Sequence, residues 1–404
     1  MTNAQFESKY ETNSDQVSET NTDLNDDLLP LRSKLSNLFP HQAQEINANG
    51  LLRSTEHPNP DTNTTNSLAR AHRQLVRLRT MDTILQNAQR QGRISFYMTC
   101  TGEEAIHIGA ASALNKQDPI FAQYREQGLL MWRGFTLEQF TNQCFSNDRD
   151  LGKGRQMPIH YGSRALNYHT VSSPLGTQLP QAVGAGYRLK LMKKPNVAIC
   201  FFGDGCASTT DFHAALNFAA TLSVPVLFFC RNNGYAISTP VSDQYAGDGI
   251  VSRATGYGMA AIRVDGNDIF AVHAAVREAK TYALQHNAPV LIEGMTYRLG
   301  HHSTSDDSTR YRSEDEVVEF ADKMDPLVRL NLFMQRHELI TEEQINMIKE
   351  EERLAVLDAI KLAEKRPKPN IDSMFTDVYK EVPPYLRKQL DDLKNHLAKY
   401  PDKY

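Results

Sequence analysis

Two apolar runs in the middle of the chain end in residues able to hold a cation and a phosphate. Residues 197–202 lead into Gly203-Asp204-Gly205, and residues 226–230 lead into Arg231-Asn232-Asn233-Gly234-Tyr235, with Asp204 and Asn233 29 positions apart. A carboxylate, a side-chain amide oxygen and a backbone carbonyl are hard donors of the kind Mg²⁺ takes, and phosphate oxygens commonly complete its octahedron. Glycines beside Asp204 let backbone come close to phosphate, and a helix beginning beyond them offers free N–H groups. Alone, Gly-Asp-Gly after a strand reads equally well as a plain turn. Asn233 at the matching position behind a second strand makes the pair a candidate site.

Two further stretches carry chemistry. Gln123-Tyr124-Arg125-Glu126 follows Ile120-Phe121. The planar guanidinium of Arg125 could take a phosphate through two parallel N–H bonds; a surface salt bridge with Glu126 or a neighbour is the plainer reading. The second stretch runs from Thr296-Tyr297-Arg298-Leu299-Gly300 into His301-His302-Ser303-Thr304-Ser305-Asp306-Asp307. Adjacent histidines seldom converge on one ion, and no third His or Cys lies at zinc-ligand spacing. This leaves either a polar solvent-facing loop or a catalytic one, for which histidine is suited because it exchanges protons near neutrality.

The elements that must position these residues follow from periodicity. Continuous apolar runs at 197–202, 226–230, 261–264 and Val290–Met295, separated by helical patterns, predict buried parallel strands covered on both faces. The fold class is therefore α/β, and such sheets bind ligands beyond the carboxyl ends of their strands. Ser208, with Asp211 three positions on, predicts the cap of a helix running to about Leu222. Leu68, Leu75, Leu78, Met81 and Leu85 recur at helical spacing, so the folded body is expected to start near Ser67. After about Lys323 the chain turns to Glu-, Lys- and Arg-rich helical patterns, broken at Arg366-Pro367-Lys368-Pro369-Asn370 and resuming near Tyr385. Three regions are expected: a disordered or extended, acidic and polar tail over 1–66, a binding domain over 67–323, and a helical region over 324–404 packed on it.

Composition removes several alternatives. A net charge of −4 gives no basic excess for nucleic acid. No stretch approaches the ~18 apolar residues of a membrane span. The five cysteines form no CxxC pair, and their odd number argues against a disulfide framework. The first 27 residues hold seven acids against one base, Lys9. Transit peptides are Arg-rich and acidic-poor, so this composition favours a bacterial cytoplasm, with the mitochondrial matrix as the alternative.

The pair Gly203-Asp204-Gly205 and Asn233 resembles the thiamine-diphosphate motif of transketolase-like enzymes. The longer string from Cys230 through Arg231-Asn232-Asn233-Gly234-Tyr235-Ala236-Ile237-Ser238-Thr239 to Pro240 resembles alpha subunits of branched-chain 2-oxo acid dehydrogenases, as does the His301-His302 loop. The likeness covers roughly 70–399. Many alpha subunits of that family have Glu where this chain has Asp204, and Asp is commoner across thiamine enzymes.

The resemblance implies a role for each matching residue. Asp204, Asn233 and the carbonyl of Tyr235 would hold Mg²⁺. Arg231 and Arg125 would grip the diphosphate, with Gln123, Tyr124, Gly203, Gly205 and Cys206 around it, and Tyr124 would also serve catalysis beside the reacting centre. Ser173 would contact the cofactor, Leu175 would lie near its aminopyrimidine, and Ser172, Pro174, Thr177 and Gln178 would supply oxygens to K⁺. His302 would assist proton movements, while His301 would orient the loop or contact phosphate. Arg298 would stabilise the loop or an anionic ligand, and Ser303 and Ser313 match serines that are phosphorylated in animal relatives.

The implied reaction is oxidative decarboxylation of branched-chain 2-oxo acids, with acyl transfer to the lipoyl group of an acyltransferase (E2) component. A glutamate that pairs with the aminopyrimidine would come from a beta subunit (E1 beta), giving an α2β2 heterotetramer. A pyruvate-specific alpha subunit and a non-catalytic scaffold are the rival readings. A nicotinamide-binding domain is disfavoured because Gly203-Asp204-Gly205 is not a GxGxxG fingerprint.

Overall fold

The two apolar runs that end at the candidate site become neighbouring parallel strands in the computed structural model, which describes residues 44–46, 52–54 and 62–403. In chain order the strands are β1 (Gln44–Ile46), β2 (Leu52–Ser54), β3 (Ile120–Phe121), β4 (Ala198–Gly203), β5 (Val226–Asn232), β6 (Tyr235–Ala236), β7 (Thr239–Pro240), β8 (Ala260–Asp265) and β9 (Val290–Met295). Seven form one sheet in the order β1-β2-β8-β9-β5-β4-β3, while β6 and β7 form a separate hairpin. Every pairing from β2 to β3 is parallel, and β1 joins β2 antiparallel. From β3 to β5 the chain steps one way across the sheet. It then returns from β8 to β9, so the winding reverses beside β5, where open α/β sheets bind ligands.

The strands are apolar on both faces because both faces are covered. Ile199, Phe201, Leu227, Phe229, Val290 and Ile292 point into one core. Ala198, Cys200, Phe202, Val226, Phe228 and Leu291 point into another. The helix Thr210–Leu222 closes the second face, and the helix Ile269–His286 closes the first. The latter starts where Asp268 accepts hydrogen bonds from the backbone N–H groups of Phe270 and Ala271, at 2.9 and 3.1 Å. It stops at Asn287 in a left-handed conformation.

Several expected boundaries move. The first long helix spans Thr62–Arg90 and so begins before Ser67. Within 1–66, β1 and β2 are strands at the sheet edge; residues 1–43, 47–51 and 55–61 lie outside the described residues, and the reading of a polar tail falls mostly there. Ser208 is not the cap of the helix that follows it. It closes a 3₁₀ turn, Gly205–Ser208, so the helix starts at Thr210 with Thr209 at its head, whose hydroxyl donates to the carbonyl of Cys206.

Past the sheet the chain is helical: Glu314–Met324, Pro326–Arg336, Glu342–Glu364, Ser373–Thr376 and Pro384–Lys399. Glu342–Glu364 lies against Thr62–Arg90. It sends Val356, Ile360 and Ala363 into the first core, and its buried Glu352 accepts from Arg77 at 2.6 Å and Arg73 at 3.1 Å. The break near Arg366 follows from Pro367, which cannot continue a helix.

Phe201 and Phe229 stack across β4 and β5 with centroids 5.1 Å apart, both wholly buried. Phe229→Ala is expected to cost about 3–5 kcal/mol, read as a lowered urea midpoint with an unchanged slope.

Candidate active site

Register brings the site together. Gly203 at the end of β4 pairs with Arg231 of β5, so the segments beyond each strand leave the sheet side by side. Asp204 starts the 3₁₀ turn, while Asn233 and Gly234 turn the other segment into the β6–β7 hairpin, Gly234 having a φ of +86°. These segments bound a cavity of ≈ 160 Å³ that Gln123, Tyr124, Arg125, Leu175, Cys206, Arg231 and His302 also line. Pockets that enclose a drug-sized molecule hold about 300–1,000 Å³, so this chain encloses only part of such a ligand.

The cavity wall is built for oxygen-rich guests. A Cβ added to Gly205 would sit 2.7 Å from that of Ala236, which requires glycine there. One added to Gly203 would meet nothing nearer than 3.8 Å. It would instead project between Nη2 of Arg231 and Oε1 of Gln123, filling space beside two polar groups. Gln123 is fixed by the N–H of Gly203, which donates to its Oε1 at 3.0 Å. Asp204 is buried and accepts from Nε2 of Gln244 at 2.7 Å; burial pushes its carboxyl up, and among the described residues no cation pairs with it in contact. The donor set of Asp204, Asn233 and Tyr235 suits a hard divalent cation.

Beneath the cavity lies a buried ion cluster. Arg231 donates through Nε to Glu126 and through Nη1 to Glu103 at 2.5 Å, and all three side chains are shielded from water. Among the described residues Nη2 of Arg231 has no hydrogen-bond partner, which leaves it available to an anion. Burial alone would raise Glu103, but Arg231 and Arg125 outweigh it and hold the carboxyl below its ordinary value. Arg125 donates to the carbonyl of Thr99 at 2.5 Å and to that of His302 at 2.8 Å. Glu126 pairs with Arg231 rather than bridging Arg125 at the surface.

The loop after β9 contributes His302. Its Nδ1 lies 3.3 Å from both Arg125 Nη2 and Arg298 Nη1. Two guanidinium donors make that nitrogen an acceptor, so the ring is neutral with its proton on Nε2. Burial, then Arg125 and Arg298, pushes His302 down to about 3. Asp306 accepts from the His302 N–H at 2.7 Å and from the Tyr311 hydroxyl at 2.6 Å. Arg298 donates to Tyr311 and to the carbonyl of Ile237 at the tip of the β6–β7 hairpin, where Ile237 has a φ of +58°.

Other expected residues are placed elsewhere. His301 turns away from the cavity and bonds through Nδ1 to Ser308, at 2.9 Å to the hydroxyl and 3.1 Å to the N–H. Ser173 is exposed and meets Nε2 of His160 at 2.6 Å instead of lining the cavity. In the segment read as a K⁺ site, the Thr177 hydroxyl donates to the Pro174 carbonyl at 3.3 Å and Gln178 donates to the Phe201 carbonyl at 3.1 Å. Ser303 accepts from the Ser305 N–H, and exposed Ser313 caps the helix Glu314–Met324. Glu103, Glu126 as a partner of Arg231, and Gln244 escaped the sequence reading. The Glu103-Glu104 pair after Gly102 was the available signal for the first.

Residues 72–372 match the family described as dehydrogenase E1 component. The chain belongs to this family. It is 52% identical over 355 residues to the mitochondrial 2-oxoisovalerate dehydrogenase subunit alpha of Caenorhabditis elegans, covering 88% of this chain and 81% of the relative. It is 54% identical over 334 residues to the protein of that name from Homo sapiens, covering 82% and 75%. For the Dictyostelium discoideum protein the identity is 54% over 331 residues, covering 82% and 75%. The matched span 72–372 includes β4 and β5, the strands that carry the cavity.

Replacing Arg231 by Met leaves two buried carboxylates facing each other. The expected loss is about 3–5 kcal/mol, measured by equilibrium unfolding against the unsubstituted chain. The His302 ring gives a pH test. Its folded value is below its unfolded one, so protonation favours unfolding: its contribution is intact above ~6.5 and is lost as pH falls toward 3. NMR of labelled histidine should show the ring still neutral at pH 5, and a ring that titrates near 6.5 would contradict the two-arginine contact.

Proposed function

We propose that this chain is the alpha subunit of a thiamine-diphosphate-dependent 2-oxo acid dehydrogenase that acts on branched-chain 2-oxo acids such as 3-methyl-2-oxobutanoate. The observation that carries the reading is the convergence of Asp204, Asn233, Tyr235, Arg231, Arg125 and His302 on one partly enclosed cavity at the ends of β4 and β5. The names of the relatives, 2-oxoisovalerate dehydrogenase subunit alpha, supply the substrate class.

Asp204, the amide oxygen of Asn233 and the carbonyl of Tyr235 would hold Mg²⁺, and Nη2 of Arg231 with Arg125 would hold the diphosphate. Bound thiamine diphosphate supplies the electron sink that lets a 2-oxo acid lose carbon dioxide. The chain's own part is to bind, orient and exclude water. Neutral His302 presents its Nε2 proton, and an anion beside Arg125 and Arg298 would offset their charge and raise its basicity, preparing it to move a proton during acyl transfer. Ser172, Pro174, Thr177 and Gln178 would place oxygens around K⁺.

The small cavity supports a second chain as the other wall of the site. An E1 beta subunit in an α2β2 assembly fits that need, and the acyl group would leave on the lipoyl arm of an E2 component. We assign 67–323 to cofactor binding and 324–404 to the helical support behind it. The mitochondrial names of the relatives favour the matrix over the bacterial cytoplasm suggested by the acidic N-terminal composition.

Carbon dioxide release tests this directly, with the purified chain alone and with its beta partner, in thiamine diphosphate, Mg²⁺ and an artificial electron acceptor. The expected result is turnover only with beta, faster on 3-methyl-2-oxobutanoate and 4-methyl-2-oxopentanoate than on pyruvate. Preference for pyruvate would overturn the substrate class, and no turnover with a competent beta chain would overturn the enzyme reading.

A further inference from the structure

Two consecutive glutamates, Glu103 and Glu104, open the helix Glu104–Ala113, and they do different work. Glu104 is structural: it accepts from the Gly102 N–H at 2.8 Å and from Nε of Arg79 at 2.5 Å. Glu103 occupies the N-cap position yet caps nothing, since its side chain makes no hydrogen bond to its own helix. Gly102 makes this possible. Its φ is +99°, and a Cβ there would lie 2.3 Å from the carbonyl oxygen of Tyr297, so only glycine lets the turn pass beneath the loop after β9.

The freed carboxylate is fully buried and reaches across to β5. One oxygen accepts from Nδ2 of Asn233 at 2.9 Å and lies 4.0 Å from Nε of Arg125, while the other accepts from Nη1 of Arg231 at 2.5 Å. An ionised carboxylate can only accept, so the Asn233 amide must turn its NH₂ toward Glu103 and its oxygen away. That oxygen meets the Tyr235 N–H at 3.2 Å, on the side of the β6–β7 hairpin.

We infer that Glu103 is a positioning residue that sets the Asn233 amide with its oxygen toward the metal position while bracing Arg231 from behind. The inference rests on the cofactor reading above. Glu126 provides the comparison. It also pairs with Arg231, but its second oxygen accepts from the Gln123 N–H at 2.7 Å and has no bond to Asn233. Glu126→Gln therefore removes the same charge from Arg231 without freeing the amide.

The test titrates Mg²⁺ into the reconstituted alpha–beta complex with excess thiamine diphosphate, following the thermal midpoint, with turnover as a second readout. Outer-shell partners of metal ligands typically contribute ~10–100-fold in metal affinity. For E103Q the Mg²⁺ requirement is expected to rise by about that factor, and by much less for E126Q, with the E103Q turnover deficit recovered mainly by added Mg²⁺. E103D keeps the charge but shortens the reach, so it should show the same weakened Mg²⁺ response, and it stands in for E103Q if that variant does not assemble. Unchanged Mg²⁺ dependence in E103D, or equal losses in E103Q and E126Q, would overturn the inference. If the unsubstituted complex shows no response to Mg²⁺ and thiamine diphosphate, the cofactor reading itself fails.

Discussion

Arg231 is the residue the site is built around. Its guanidinium is buried at the end of β5, and a lone charge there would be prohibitively costly. Two carboxylates from different parts of the chain, Glu103 and Glu126, must therefore meet it, and each brings its own surroundings. Glu126 also receives the Gln123 backbone, which ties the Gln123-Tyr124-Arg125 segment to the end of β4. Glu103 draws in Asn233 and lies near Arg125. A single buried cation thus ties together three segments far apart in sequence.

The loop after β9 shows a second kind of economy. His301 and His302 are adjacent, yet one locks the loop to Ser308 and the other faces the cavity. Arg298 and Asp306 then hold His302 from behind, and the Tyr311 hydroxyl donates to Asp306. Burial, and then Arg125 and Arg298 both pointing at Nδ1, keep the ring neutral. Its basicity is open to adjustment by any anion that settles between those arginines.

Much of this was legible in the sequence. Continuous apolar runs gave the four central strands, because strands covered on both faces are apolar throughout, and the endings of two of them gave the metal-type donors. The short helix caps were less legible: Ser208 fits a capping pattern, yet the 3₁₀ turn after Asp204 takes up that residue and moves the helix start to Thr210. Glu103 was hidden for a different reason. An acid next to Glu104 at a helix start looks like ordinary dipole compensation, and only the contact across 130 positions with Asn233 reveals its use. Ser173 and Leu175 belong to one stretch, but only Leu175 reaches the cavity wall, which spacing in a loop does not predict.

Ile237 has the left-handed backbone of a residue type that seldom adopts it, at a typical cost of ~1–3 kcal/mol. The carbonyl of that strained residue is the one Arg298 holds. The hairpin that carries Tyr235 and the loop that carries His302 therefore act as one latch. Neither half rests comfortably without the other: release of Arg298 would let the hairpin tip relax, and relaxation of the tip would remove an anchor from the loop. Order on the metal side of the site and order on the proton-transfer side should accordingly appear and disappear together.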